Sequence, residues 1–193
     1  MMYKYKSLLS VSAAGLLLVA CSDTTLGTKS FEEALDQIII PGLPVSLGAL
    51  ALPPIKFPLD LKDQEGYSSL DIVTSVNLRS ATFTVSPDSD DPALDQIADN
   101  NPDNFDFLSG LILSLEATVD GTNQTVQIAS LPEGDPQIGS NATVLELVVD
   151  NVDVRDFAEA PDVQLVVSAK GTNPLDFVVI DPVIRFRVGV GVR

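Results

Sequence analysis

Residues 111–128 read LILSLEATVDGTNQTVQI, and this stretch decides the fold class. Leu111, Leu113, Leu115, Ala117 and Val119 alternate with Ile112, Ser114, Glu116, Thr118 and Asp120. Successive side chains on a strand point to opposite faces, so a period of two with one apolar set is a half-buried strand. The turn Asp120-Gly121-Thr122-Asn123 follows, made of residues that tolerate the backbone of a tight reversal, and Val126 and Ile128 bring the chain back. The stretch predicts a β-hairpin.

The same period extends in both directions. Ile55, Phe57, Leu59 and Leu61 alternate with Lys56, Pro58, Asp60 and Lys62, and Pro58 points to an edge or a bulge. Leu70 to Val85 is β-rich, but its apolar phase slips near Arg79-Ser80, as a bulge or a change of sheet would require. Leu145, Leu147 and Val149 predict another strand, and Val163, Leu165, Val167 and Ala169 one more. After Gly171-Thr-Asn-Pro174 come Phe177 to Ile180, then Ile184 to Val192, whose apolar positions alternate with Arg185, Arg187, Gly189, Gly191 and Arg193. Seven or eight short strands predict an all-β chain. The expected architecture is a two-sheet antiparallel β-sandwich of Ig-like, Greek-key type over residues 31–193, with a small closed β-barrel as the alternative. The Cys-Trp-Cys core of immunoglobulin domains is absent, so that likeness is architectural only. One or two short helices are expected. Ser30-Phe31-Glu32-Glu33 matches a capping box opening a helix through about Ile38, Asp91-Pro92 suits a helix start, and a further turn fits ahead of Pro161. Two echoes, GTN at 121–123 and 171–173 and ALDQI at 34–38 and 93–97, extend too little to be a duplication.

Composition excludes more chemistry than it suggests. There is no His, no Trp and one Cys among 193 residues. A His-based triad or zinc site, an internal disulfide and a multi-thiolate metal centre are therefore ruled out. With 27 Asp plus Glu against 11 Lys plus Arg, the charge of −16 argues against nucleic acid, whose phosphates must be met by cations. No Gly-rich phosphate loop and no GxSxG elbow occurs.

The lone Cys has a different explanation. Lys4 and Lys6 precede an apolar run from Leu8 to Ala20, broken only by serines and a glycine, and the run ends in Leu18-Val19-Ala20-Cys21. A basic start, a short apolar stretch and small residues before a cut site make a secretory signal peptide over residues 1–20, too short for a membrane-spanning helix. The tetrapeptide resembles the lipobox of bacterial lipoproteins. That resemblance, confined to the leader, implies a diacylglycerol and an N-acyl chain on Cys21, lipid attachment that two or more chains make stable. Ser22 after the Cys resembles lipoproteins sent to the outer membrane. Residues 21–30, small and polar, read as a flexible tether. Loss of Lys4 and Lys6 with the leader leaves 9 cations against 27 carboxylates, a charge of −18.

Three stretches carry candidate sites. From Gln37 to Ile55 the chain is uncharged, but Pro41, Pro44, Pro53 and Pro54 break the helix a bilayer would demand. The expectation is a buried, irregular strand covering the core, or an arm contacting a lipid-like ligand. Residues 87–106 hold seven Asp and no cation. Asp99, Asn101 and Asp103 begin like a calcium loop, yet Asn104 stands where such a loop needs Gly, and Gly110 where it needs Glu. The simpler reading is an exposed connection whose Asp and Asn side chains serve caps and turns. Asp150, Asp153, Asp156 and Glu159 surround Arg155 and suggest a solvated loop. Arg185, Arg187 and Arg193 form a stripe on the last strand, blunting an edge or meeting nearby carboxylates. No catalytic or cofactor-binding residue stands out, and carboxylates alone make hydrolysis the least favoured reading. The expected function is a non-enzymatic binding or structural module, membrane-attached through Cys21, recognising an unknown envelope protein or ligand. The alternatives are hydrophobic-ligand binding through 37–55 and a calcium-dependent adhesion module.

Overall fold

The computed structural model describes residues 25–42, 49–51, 55–58, 72–90, 103–174 and 176–191. Among them eleven strands follow in order: β1 (Thr25–Ala34), β2 (Ile38–Ile40), β3 (Ala49–Ala51), β4 (Ile55–Pro58), β5 (Ile72–Val85), β6 (Leu108–Val119), β7 (Thr122–Leu131), β8 (Val144–Glu146), β9 (Val148–Val149), β10 (Gln164–Thr172) and β11 (Val178–Gly191). A 3-10 turn, Pro87–Asp90, follows β5, and one short helix, α1 (Arg155–Ala158), precedes Pro161. The first sheet runs β1–β11–β5–β8, with β2 beside β11 beyond the end of β1. The second runs β3–β10–β6–β7–β9, with β4 beside β10. All pairings are antiparallel, and neither sheet closes on itself, so the fold is a sandwich and not the barrel.

The decisive hairpin forms from β6 and β7 with a two-residue connection, Asp120 (φ 51°) and Gly121 (φ 75°). Two consecutive positive φ values match the right-handed twist of the flanking strands, which is why Asp-Gly sits there. The alternating apolar set of β6 faces inward. Leu113, Leu115 and Leu165 of the second sheet are fully buried, as are Val76, Ile184, Phe186 and Val188 of the first. Each such side chain contributes about 1.5–3 kcal/mol relative to exposure.

The slipped phase of β5 is a bulge. Arg185 pairs with Ser80 and Phe186 with Leu78, so Arg79 is the extra residue. A second slip pairs Gly189 with Ser75 and Val190 with Val73, leaving Thr74 extra. β11 runs unbroken through Asp181-Pro182 although it lies inside the sheet. The Pro182 carbonyl accepts the Leu35 N–H at 3.2 Å, opposite the gap between β1 and β2. In a strand the N–H and C=O of one residue point the same way, so the donor that proline lacks faces that gap.

Three expectations are corrected. Residues 31–38 are not a helix. Phe31 pairs with Phe186 and is buried while Ser30 and Glu32 are exposed, and nine register pairs with β11 outweigh a two-turn helix that is marginal alone. The flexible tether cannot run to residue 30, since β1 begins at Thr25. Arg185 and Arg187 do not guard an edge, because β11 lies between β1 and β5.

The predicted strand around Leu145 and Leu147 crosses between sheets. β8 pairs with β5 and β9 with β7, with only Leu147 between them, its N–H donating to the Ala81 carbonyl at 3.0 Å. The Asp-rich segment is anchored at both described ends. Ser89 is buried with its Oγ accepting the Val179 N–H at 2.8 Å, and Phe105 is 1% exposed with its ring centroid 6.4 Å from that of Phe107. The helix start at Asp91-Pro92 lies outside the described residues. Among the described residues no helix is long and apolar enough to cross a membrane.

Candidate functional site

Among the described residues the space between the sheets is closely packed. The cavity there, lined by Ile38, Ile40, Ile55, Phe83, Leu111 and Ile180, measures about 20 Å³. Ligand pockets run to roughly 300–1,000 Å³. Two wider depressions among the described residues lie on the outer face of the second sheet.

Their positions follow from register. Outward-facing Glu116 of β6 stands between Gln164 of β10 and Thr125 of β7. Two rows further, Ile112 stands between Ser168 and Ser130, and Ser130 pairs with Val148 of β9. At the hairpin end a polar cleft of about 390 Å³ is lined by Lys56, Glu116, Asn123, Thr125, Asp162 and Gln164. Lys56 of β4 reaches over β10 to form an ion pair with Glu116. The Asp162 carboxylate accepts both the Thr118 hydroxyl (2.6 Å) and the Thr118 N–H (3.0 Å). The hydroxyl bond first, and then the backbone bond, hold its pKa below the usual 3.8. The Thr118 hydroxyl also lies 3.0 Å from the Asn123 side-chain oxygen, which lines the same cleft.

The second depression, about 450 Å³, is mostly apolar. Gly110, Ser130, Ser168, Pro132, Glu133 and Lys170 are among the residues that line it. Ile112 is 38% exposed and Val148 57%, an apolar pair in one row with the polar Ser130 and Ser168.

The sequence-derived candidates are distributed elsewhere. Cys21 lies outside the described residues, as do Asp99, Asn101 and Arg193. Of the calcium candidates only Asp103 is described, and it is half-buried. Neighbouring Asn104 accepts the Asp106 N–H at 2.9 Å, and Asp106 accepts the Asn141 N–H at 2.9 Å, the turn chemistry expected of these residue types. Among the described residues no group of three or more His, Cys, Asp or Glu side chains converges as metal ligands would. Asp153 has a structural duty: its Oδ1 accepts the Val76 N–H at 2.8 Å and the Arg155 N–H at 3.1 Å, joining β5 to α1. Asp150 accepts the Gln127 side-chain amide at 2.9 Å. Arg185 pairs with Glu32 at 2.6 Å on the outer face of the first sheet, where Arg79 donates to the Ser30 hydroxyl at 3.2 Å.

Lys56, Thr118 and Asp162 were not legible as site residues. Lys56 and Glu116 are 60 positions apart and Thr118 and Asp162 are 44 apart, and only strand order brings them together. Ile112 carried a signal, an isoleucine on the otherwise polar phase of β6. No family model, curated protein or solved structure matches the chain.

Proposed function

We propose that the protein is a lipid-anchored, non-enzymatic binding module of the bacterial envelope, attached to the outer membrane through Cys21 and receiving an envelope partner on the outer face of its second sheet. The observation that carries this reading is the contrast in space among the described residues: a cavity of about 20 Å³ between the sheets against two depressions of about 390 and 450 Å³ on the outer face of the second sheet. A filled interior disfavours a carrier that encloses a hydrophobic ligand. Glycoside hydrolysis asks for a carboxyl raised toward neutrality, and Asp162 is held the other way.

Two measurements test this reading. Cys21→Ser should abolish partitioning into membranes, and unchanged partitioning refutes the anchor. A photo-crosslinking residue at Ile112, in cells, should give a defined adduct that the same residue at Thr28 on the opposite sheet does not. Equal adducts from both faces, or none from Ile112, refute the docking face.

A further inference from the structure

The outer face of the first sheet concentrates positive charge in a chain dominated by carboxylates. Arg185 and Arg187 project from β11 on the same side, and the bulge in β5 adds Arg79 beside them. Arg79 reaches across β11 to the Ser30 hydroxyl, and Ser30 is the register partner of Arg187. Three guanidinium groups therefore share one small patch. Among the described residues their one ion pair is that of Arg185 with Glu32. Arg79 is met by a neutral hydroxyl, and the register neighbours of Arg187 are the neutral Ser30 and Asn77. Beyond Arg187 the row ends at Gly189, where the Ser75 and Thr74 side chains pack over the backbone. A Cβ built on Gly189 would lie 2.5 Å from the Ser75 Oγ and 2.7 Å from the Thr74 Oγ1. Guanidinium groups and hydroxyls are the donors that phosphate oxygens accept.

The patch also lies beside the strand nearest the proposed anchor. Three residues separate Cys21 from Thr25, so the four Cα–Cα steps reach at most about 14 Å. A domain of charge −18 held that close to an anionic surface is repelled by its carboxylates and attracted where guanidinium groups cluster. We infer that the Arg79–Arg185–Arg187 face docks on the phosphate groups of anionic lipid headgroups, laying the first sheet on the membrane and leaving the second sheet outward. This orientation rests on the lipid anchor proposed above.

The test labels arginines with phenylglyoxal on the full chain isolated from membranes. The chain is reconstituted in vesicles of phosphatidylcholine alone and of phosphatidylcholine with phosphatidylglycerol, and peptides are read by mass spectrometry. Labelling of Arg79 and Arg187 should slow on the anionic vesicles by roughly five-fold for each guanidinium engaged. Arg155, on α1 and outside the patch, serves as the internal reference. High salt should restore labelling, and Arg187→Glu should abolish protection at Arg79. Equal labelling on both vesicles overturns the inference. So does equal protection by inorganic phosphate on phosphatidylcholine vesicles, which would make the ligand a free anion. Intact mass reports acylation separately. An acylated chain without protection refutes the face and leaves the anchor, an unacylated chain still protected refutes the anchor and leaves the face, and an unacylated, unprotected chain refutes both.

Discussion

Thr118 holds Asp162 through two bonds at once, hydroxyl to Oδ2 at 2.6 Å and backbone N–H to Oδ1 at 3.0 Å, tying the start of β10 to the end of β6. Both bonds favour the carboxylate, so its pKa in the folded state lies below 3.8. Their contribution to stability is present above the unfolded value and is lost as pH falls through the lower, folded value. Thr118→Val removes the larger cause and leaves the backbone bond. The Asp162 titration, followed by carboxyl carbon NMR, should then move up toward the ordinary aspartate value. An unmoved midpoint would show that the hydroxyl bond does not form in solution.

Asp153 accepts the N–H of Val76, a residue with no exposed surface. Asp153→Ala leaves that donor buried and unanswered, at a cost of about 1–3 kcal/mol. Asp153→Asn keeps an acceptor oxygen and should lose less than half as much. Urea unfolding of the two variants checks the order.

Gly171 and Gly27 should respond in opposite directions to alanine. A Cβ at Gly171 would lie 2.1 Å from the Phe107 carbonyl oxygen, a backbone atom that cannot turn aside. The same carbonyl accepts the Thr172 N–H at 2.7 Å. Gly171→Ala should cost about 1–3 kcal/mol, as overpacking does. Gly27 has nothing within 4 Å, and Gly27→Ala should stabilise β1 by roughly 0.5–1 kcal/mol. Thermal melts of the pair suffice, and destabilisation by both would refute the contrast.

Phe105 fixes the far end of the Asp-rich segment. It is 1% exposed, and its N–H donates to the Ala142 carbonyl at 2.9 Å. Phe105→Ala should cost about 3–5 kcal/mol. Asp106→Ala, on an exposed residue of the same segment, should cost less, about 0.5–1.5 kcal/mol for its bond from the Asn141 N–H. Equal losses, read from denaturant midpoints, would show that the segment and not the ring supplies the stability.

Local patterning made much of this fold legible. The β6–β7 hairpin, the bulge at Arg79 and the short helix before Pro161 all follow from periodicity and turn residues, which are properties of adjacent positions. The helix assigned to 31–38 failed because its apolar residues suit a short helix and a strand alike. Which wins depends on β11, some 150 residues away, whose Phe186 receives Phe31. Gly171 shows the same limit. It reads as turn chemistry but is needed inside β10 because the Phe107 backbone passes so close. The cleft on the second sheet was invisible for that reason too, since Lys56 meets Glu116 only across an intervening strand. Cys21 is the reverse case, assigned from the leader alone and lying outside the described residues.

Residues 144–149 belong to both sheets, three of them paired with β5 and two with β7. The two leaves of the sandwich therefore share one covalent clasp, drawn tight by the buried Leu145 and Leu147. Peeling either leaf pulls on the other, so neither can serve as an independent cooperative unit. The amides of Leu147, bonded to Ala81 in the first sheet, and of Asp150, bonded to Ile128 in the second, should exchange with solvent only in the same global opening. Whatever grips the protein by its outward face would then be resisted by the whole domain, and not by one sheet.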